Sequence, residues 1–315
     1  VACAAAALAA AAGLPLVLGT YQVHVLTVAL YYAVLASSWN LLAGYTGLFS
    51  LAHHTFAALG AYASALLVLD AHVPIVVGIA SGGALACLVG AAIGTVTLRM
   101  RTLYLALATW AFAESARILV SVEYTVTRGD LGLAVPTLFR TPSPLPYYEL
   151  FLATLAAAVG GLAWLLRSRI GLRLRAIRDD EGAARAAGVR TVRWRRFAFA
   201  VASGAAGTAG ALYGHYIGLL SPVSMKFDEM AVIIIMVILG GQRTLAGPVL
   251  GAVLVEVASE ALRASGQVRM VVFALVVLVV MRAYPPGLLG LGAALSRSLA
   301  RSWGRGEVST TRTVP

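Results

Sequence analysis

The side chains that could do chemistry in this chain are charged and imidazole groups set inside apolar runs. Glu114 and Arg117 stand three residues apart, and Glu256, Glu260 and Arg263 share one helical face. A charge inside a bilayer is costly unless paired or hydrated, so these groups serve either as a proton relay or as pairs that neutralise each other. The spacing favours pairs. His24, His53, His54, His72 and His215 are scattered. The adjacent His53 and His54 project from different sides of a helix, which suits no shared metal. Cys3 and Cys87 lie in apolar segments with no CxxC. No nucleophile–base pair supports an enzyme. A nucleotide-binding P-loop needs GxxxxGK[ST], yet the only lysine, Lys226, sits in SPVSMKFD. Any ATP used by this protein must therefore bind another subunit.

The longest polar stretch is Gly171 to Arg196, GLRLRAIRDDEGAARAAGVRTVRWRR, and ten arginines fall between Arg167 and Arg196. A run this basic between apolar segments is held on the cytoplasmic side. Asp179, Asp180 and Glu181 precede an alanine-rich stretch that Gly188 closes. Acidic residues suit a helix start, alanine its body and glycine its left-handed end. A short capped helix within a basic loop, 168–196, is predicted. It is either a docking element for a soluble partner or a solvated loop that fixes topology, and spacing leaves both open.

Composition sets the elements that must carry these groups. The 315 residues are 60% hydrophobic and 12% charged, with mean hydropathy +0.87. Soluble domains carry about 25% charged residues, so an all-α, polytopic transmembrane bundle is predicted. The net charge of +11 gathers at membrane edges, which argues for topology and against nucleic acid. Membrane segments are placed near 2–19, 23–42, 51–69, 74–98, 103–121, 148–166, 197–217, 229–240, 248–262 and 268–282. The first lacks a charged n-region and reads as a span, not a signal peptide, although the chain opens on Val1 without a methionine. The eighth and ninth are too short for ordinary spans and are expected to be broken or re-entrant. Arg99, Arg101, the basic loop and the tail are expected inside, with connection 122–147 outside and both termini cytoplasmic. Residues 1–286 are expected to form the transmembrane domain and 287–315 a cytoplasmic, disordered tail.

Two glycine-rich stretches interrupt the apolar pattern, Asn40–Tyr62 (NLLAGYTGLFSLAHHTFAALGAY) and Leu239–Gly251 (LGGQRTLAGPVLG). One lies in each half of the chain, as do the broken helices that line transporter pathways. On that reading the lining residues are Gly44, Tyr45, Thr46, Gly47, Ser50, His53, Gly240, Gly241, Gly247 and Pro248. Close helix packing through small residues is the alternative, and spacing alone leans toward it. Gly78, Gly82, Gly83, Gly90 and Gly94 repeat along one regular segment and read as packing.

The two glycine blocks, TVTRGDLGLAVP and the stretch GLRLRAIRDDEGAARAAGVRTVRWRRFAFAVASGAAGTAGALYGHYIGLLSP together resemble one family. The chain is similar, over most of 23–283, to the LivM-type permease subunits of bacterial branched-chain amino acid ABC importers. It departs from the family pattern at Leu48 (usually Gln), Ala52 (usually Gly) and Arg243 (commonly Gly). The resemblance implies a bacterial inner-membrane permease with no cofactor of its own. Its partners would be a homologous second permease, two cytoplasmic ATPase subunits that hold ATP and Mg, and a periplasmic binding protein. It also implies that Glu181, Ala183, Ala184 and Gly188, flanked by Arg178 and Arg185, dock on an ATPase. Branched-chain amino acids are the family's usual cargo, while related systems move urea, short amides or small carboxylates. The rival from another class is a proton- or sodium-coupled secondary transporter with Glu114, Glu256 and Glu260 as its relay.

Overall fold

An apolar chain with no water to satisfy its backbone can only form helices or closed barrels. In the computed structural model this chain forms helices; the structure describes residues 8, 10–97, 100, 102–139, 141, 143–263, 268–283 and 287. The helices are α1 (Thr20–Asn40), α2 (His53–Asp70), α3 (Ile75–Thr97), α4 (Thr102–Val122), α5 (Leu145–Arg167), α6 (Arg169–Asp179), α7 (Glu181–Ala186), α8 (Thr191–Ile217), α9 (Phe227–Gly240), α10 (Gly247–Ala261) and α11 (Val268–Ala283). A π-helical turn, Leu41–Thr46, continues α1. Five helices among the described residues are long and apolar enough to cross a membrane: Thr20–Thr46, Ile75–Val96, Leu103–Val122, Leu145–Arg167 and Thr191–Ile217. The fold is an all-α polytopic bundle.

The expected segments near 23–42 through 268–282 each have a helical counterpart; of the one near 2–19, residues 2–7 and 9 lie outside the described residues and Leu14–Leu16 form a 3-10 turn, while of the tail only residue 287 is described. The two short segments are α9, 14 residues, and α10, 15 residues. At 1.5 Å per residue each spans about 21–23 Å, short of the roughly 30 Å hydrocarbon core. They form a hairpin whose backbones nearly touch, because a Cβ on Gly251 would sit 1.9 Å from the Met236 carbonyl oxygen.

At the centre stands α1, apolar on every side and packed against α5, α8, α9 and α10. A helix hydrophobic all round belongs inside a bundle. Beside it, α2, α3 and α8 pack through small residues. A Cβ on Gly60 would lie 2.3 Å from the Gly207 carbonyl oxygen, and one on Gly82 2.3 Å from that of Gly60. The repeated glycines of α3 are thus packing glycines. Large apolar side chains of α3 and α4, among them Val76, Leu88, Leu103, Trp110 and Leu119, remain exposed, as a lipid-facing or partner-facing surface requires.

The two ends of α1 differ. Near Thr20 gathers the connection between α4 and α5, tied to the end of α8 by an antiparallel two-residue bridge, β1 (Leu133–Ala134) with β2 (Leu219–Leu220). Near Asn40 lie the arginine-rich helices α6 and α7.

Gly60→Leu is expected to destabilise the α2–α3–α8 packing by about 1–3 kcal/mol or more, as overpacking does. Gly161→Ala, where an added Cβ meets nothing within 4 Å, should leave stability unchanged. Thermal unfolding of the detergent-purified protein checks both.

Candidate functional site

The last turn of α1 opens into a π-turn because its carbonyls are claimed from the side. Thr46 Oγ1 donates to the carbonyls of Leu41 (2.9 Å) and Leu42 (2.6 Å), and Leu48 N–H to Leu42 O (2.9 Å). Gly47, at φ +72°, then turns the chain back. Gly44 leaves room for one side chain in particular: a Cβ there would sit 2.1 Å from Asn40 Oδ1.

That side chain joins the two glycine interruptions. Asn40 Nδ2 donates to Thr244 O (2.8 Å), and Asn40 Oδ1 accepts from Arg243 N–H (3.1 Å). Tyr45 OH donates to Arg243 O (2.8 Å). Arg243 itself is held at φ +66°. That left-handed conformation costs an L-residue about 1–2 kcal/mol and none to glycine, which is the physical sense of a pattern with glycine at this position. Thr244 Oγ1 donates to Gly241 O (2.8 Å) and accepts from Gly247 N–H (3.0 Å), closing the turn between α9 and α10.

The arginine-rich segment reaches the same junction. The face of α6 bearing Gly171, Leu174 and Ile177 is buried, and Leu174 packs with Leu41, Leu42, Tyr45 and Leu165. From its last turn Arg178 Nη1 donates to Gly44 O (3.2 Å), while its other nitrogens hold Asp179 (2.6 Å). The backbone of Gly47 passes so close that a Cβ there would lie 3.2 Å from Arg178 Cγ.

Next comes α7. Asp180 caps it, accepting from Ala183 N–H (3.0 Å). Its end is a left-handed turn at Gly188, φ +82°, with Gly188 N–H bonded to Arg185 O and Val189 N–H to Ala184 O (both 3.0 Å). Only Asp180 does the capping; Asp179 ends α6 instead. Glu181 is gripped from inside the chain, by Arg195 Nη1 at 2.7 Å and Arg185 Nη2 at 2.9 Å. Arg195 is 8% exposed, so its charge is nearly buried with the carboxylate beside it. Burial works against ionisation of Glu181, but the Arg195 charge and hydrogen bonds from Thr191, Arg195 and Arg185 outweigh it and hold the carboxyl below its ordinary range. Outward, α7 presents small residues, with Gly182, Ala183, Ala186, Ala187 and Gly188 exposed and Ala184 buried.

The structure thus brings together Gly44, Tyr45, Thr46, Gly47, Arg178, Gly240, Gly241 and Gly247, with Pro248 opening α10. Ser50 and His53 pack against the turn of α1 that precedes Asn40: Trp39 Nε1 donates to Ser50 O (2.8 Å), and His53 Nε2 meets Ser38 Oγ (2.8 Å). His54 turns elsewhere, to Met225 O (2.7 Å). Arg178 points inward, not outward, and Arg185 is spent on Glu181. Glu114 pairs with Arg117 at 2.5 Å, and Glu260 with Arg263 at 3.2 Å. Asn40, outside the lining residues expected from the sequence, joins the two interruptions. Its signal was present, since an asparagine with glycine four residues on places a polar side chain against a bare helix face.

Broken helices that meet inside a multi-pass bundle, with a basic capped helix leaning on their junction, define a membrane permease subunit. The family described as "Branched-chain amino acid transport system / permease component" matches residues 21–281, and the chain belongs to it. It is 30% identical over 304 residues to the high-affinity branched-chain amino acid transport system permease protein LivM of Escherichia coli K12, covering 87% of this chain and 71% of that protein. The LivM of Salmonella typhimurium LT2 gives the same identity and coverage. LivH of E. coli K12 is 24% identical over 288 residues, 82% of this chain and 91% of that one. The chain is thus of the LivM type, and no solved structure matches it.

Asn40→Ala leaves the Arg243 N–H and Thr244 carbonyl without their partner. It should cost about 2–3 kcal/mol, read as a lower melting temperature in detergent. Glu181→Gln tests the carboxylate. A depressed folded pKa stabilises above the unfolded value, about 4.3, and that stabilisation is lost as pH falls through the folded pKa. Wild type should unfold at higher temperature than the variant at neutral pH, with the difference vanishing in acid.

Proposed function

We propose that this chain is the pathway-forming permease subunit of an ATP-driven importer of branched-chain or similar small amino acids. One observation carries the reading. Arg178 ties the cytoplasmic helix pair α6–α7 to the π-turn of α1, and Asn40 ties that turn to the α9–α10 hairpin. A push on α7 therefore reaches both helix interruptions through bonded contacts, as rigid-body switching needs.

The partners are a homologous second permease, two cytoplasmic ATPase subunits that bind ATP and Mg, and a periplasmic binding protein, all at the bacterial inner membrane. Support for a second permease comes from similarity to LivM and LivH, both permease proteins of branched-chain amino acid transport systems. The small-residue face of α7 suits a shallow cleft on an ATPase, and α6–α7 with their arginines belong on the cytoplasmic side, with both termini. Glu181 acts from behind, holding α7 on α8 through Arg195. The secondary-transporter reading has less support, because Glu114 and Glu260 are each bridged by an arginine.

The test is reconstitution with the partners in proteoliposomes. ATP should drive leucine uptake that persists when the proton gradient is collapsed; uptake that stops with the gradient while ATP is held constant would overturn the reading. Gly188→Val, a β-branched residue at positive φ, should insert normally yet lose substrate-stimulated ATP hydrolysis and uptake together. Unchanged stimulation would remove α7 from the coupling path.

A further inference from the structure

Five arginines at the α6 end of the bundle are exposed, and among the described residues no carboxylate pairs with Arg167, Arg169, Arg173, Arg193 or Arg196. Arg169 and Arg173 are four apart on α6, and Arg193 and Arg196 three apart on α8, so each pair shares a helix face. Trp194 brings the two faces together. Arg173 Cζ lies 4.8 Å from the centroid of its indole, and Arg193 Cζ 5.7 Å. The indole is itself seated, edge-on to Phe197 at 6.0 Å and packed with Ile170 against the cluster that holds Leu165, Leu166 and Leu174.

The depth of this patch follows from helix length. The span Thr191–Ile217 has 27 residues, about 40 Å at 1.5 Å per residue, against a hydrocarbon core of roughly 30 Å. The excess belongs at the arginine-bearing end, because charge is costly within hydrocarbon. Arg193 and Arg196 therefore stand in the headgroup layer. The span of α5 ends at Arg167, so α6 starts at the same level. Trp164, one turn before Arg167, is exposed, as a tryptophan of the membrane interface is. Leu172 and Val192, next in sequence to Arg173 and Arg193, are exposed too. Such side chains are stabilised by dipping toward acyl chains while guanidinium groups stay at phosphate level. Two cations drawn to one ring repel each other unless an anion joins them. The guanidinium fork matches phosphate oxygens in pairs.

We propose that Arg169, Arg173, Arg193 and Arg196, arranged around Trp194, bind the phosphate headgroup of an anionic phospholipid in the leaflet beside α6. The phosphodiester bridges the arginines of α6 to those of α8 and so fixes α6 at the membrane surface. This needs only the multi-pass fold and stands whatever solute the permease carries.

The experiment takes the purified full-length chain, delipidated in mild detergent, and titrates it with phosphatidylglycerol or phosphatidylcholine of the same acyl chains. Native mass spectrometry counts the bound lipid. Wild type should hold phosphatidylglycerol about tenfold or more tighter than phosphatidylcholine. Each arginine beside an anionic headgroup is worth about a factor of five, so Arg173→Gln with Arg193→Gln should weaken phosphatidylglycerol by about 25-fold. Should that pair disturb folding, Arg169→Gln with Arg196→Gln, which leaves the indole contacts in place, reads the same loss. Arg128→Gln, an exposed arginine at the other end of the bundle, should leave both affinities at wild type; an equal loss there would reduce the effect to net charge and overturn the proposal. Equal affinity of wild type for the two lipids, or unchanged binding in both double variants, would overturn it as well. So would displacement of the lipid by millimolar inorganic phosphate, which makes this a free-phosphate site. Loss of the preference once co-purifying subunits are bound would assign the arginines to a protein interface instead.

Discussion

A helix that breaks inside a bilayer must satisfy the backbone groups it frees, and here a side-chain amide at the edge of one break does so for the other. Asn40 gives an N–H to Thr244 O and takes one from Arg243 N, so its donor and acceptor are used on the same facing turn. Few other side chains offer both functions in that geometry: an ionised aspartate accepts only, and a lysine donates only. The space for the amide exists because Gly44 has no side chain, and the left-handed Arg243 is held because three of its neighbourhood's backbone groups are bonded from α1 and its π-turn. Remove the amide and the Arg243 N–H and Thr244 carbonyl are left unpaired in a medium that penalises it, with Tyr45 OH on Arg243 O the remaining side-chain bond between the two interruptions.

Charge is placed with the same economy. Arg178 is partly buried and its guanidinium divides between a carbonyl and a carboxylate, a fork that one ammonium point charge matches poorly. The Glu181–Arg195 pair is nearly buried on the arginine side, where a lone cation would be strongly unfavourable. The carboxylate therefore fixes the angle between α7 and α8 more than it stabilises the fold.

How far could this be read from residues alone? The bundle was legible because apolar length is a strong signal, and α9 and α10 were visibly too short to cross. The ends of α7 were legible too, since acidic residues, alanines and a glycine at C′ each have local causes. The two glycine blocks could be seen but not joined. Asn40 and Arg243 are separated by 203 positions, and nothing in spacing says that such residues touch. Likewise nothing local turns an arginine of a basic loop toward a carbonyl of another helix, as Arg178 turns to Gly44. Ser50 and His53 share the first block in sequence, and the reversal at Gly47 lays them back along α1 against Trp39 and Ser38.

What unites the two ends is α1. It carries Asn40 at the junction beside the arginines and Tyr31 and Tyr32 beside Glu229, and the eight residues from Tyr32 to Asn40 amount to about 12 Å of unbroken helix. Packed on several sides, such a helix moves as a body or not at all, because close-packed interfaces have discrete arrangements, not a continuum. The α9–α10 hairpin shares both contacts, through Arg243 and Thr244 at its turn and Glu229 at its start. Displacing the junction therefore shifts Tyr32 and Glu229 relative to each other unless α1 and α9 move together. With the hairpin turn tied through Asn40 and the start of α9 tied through Tyr32, α1 and α9 are joined at two levels, so a displacement of one carries the other.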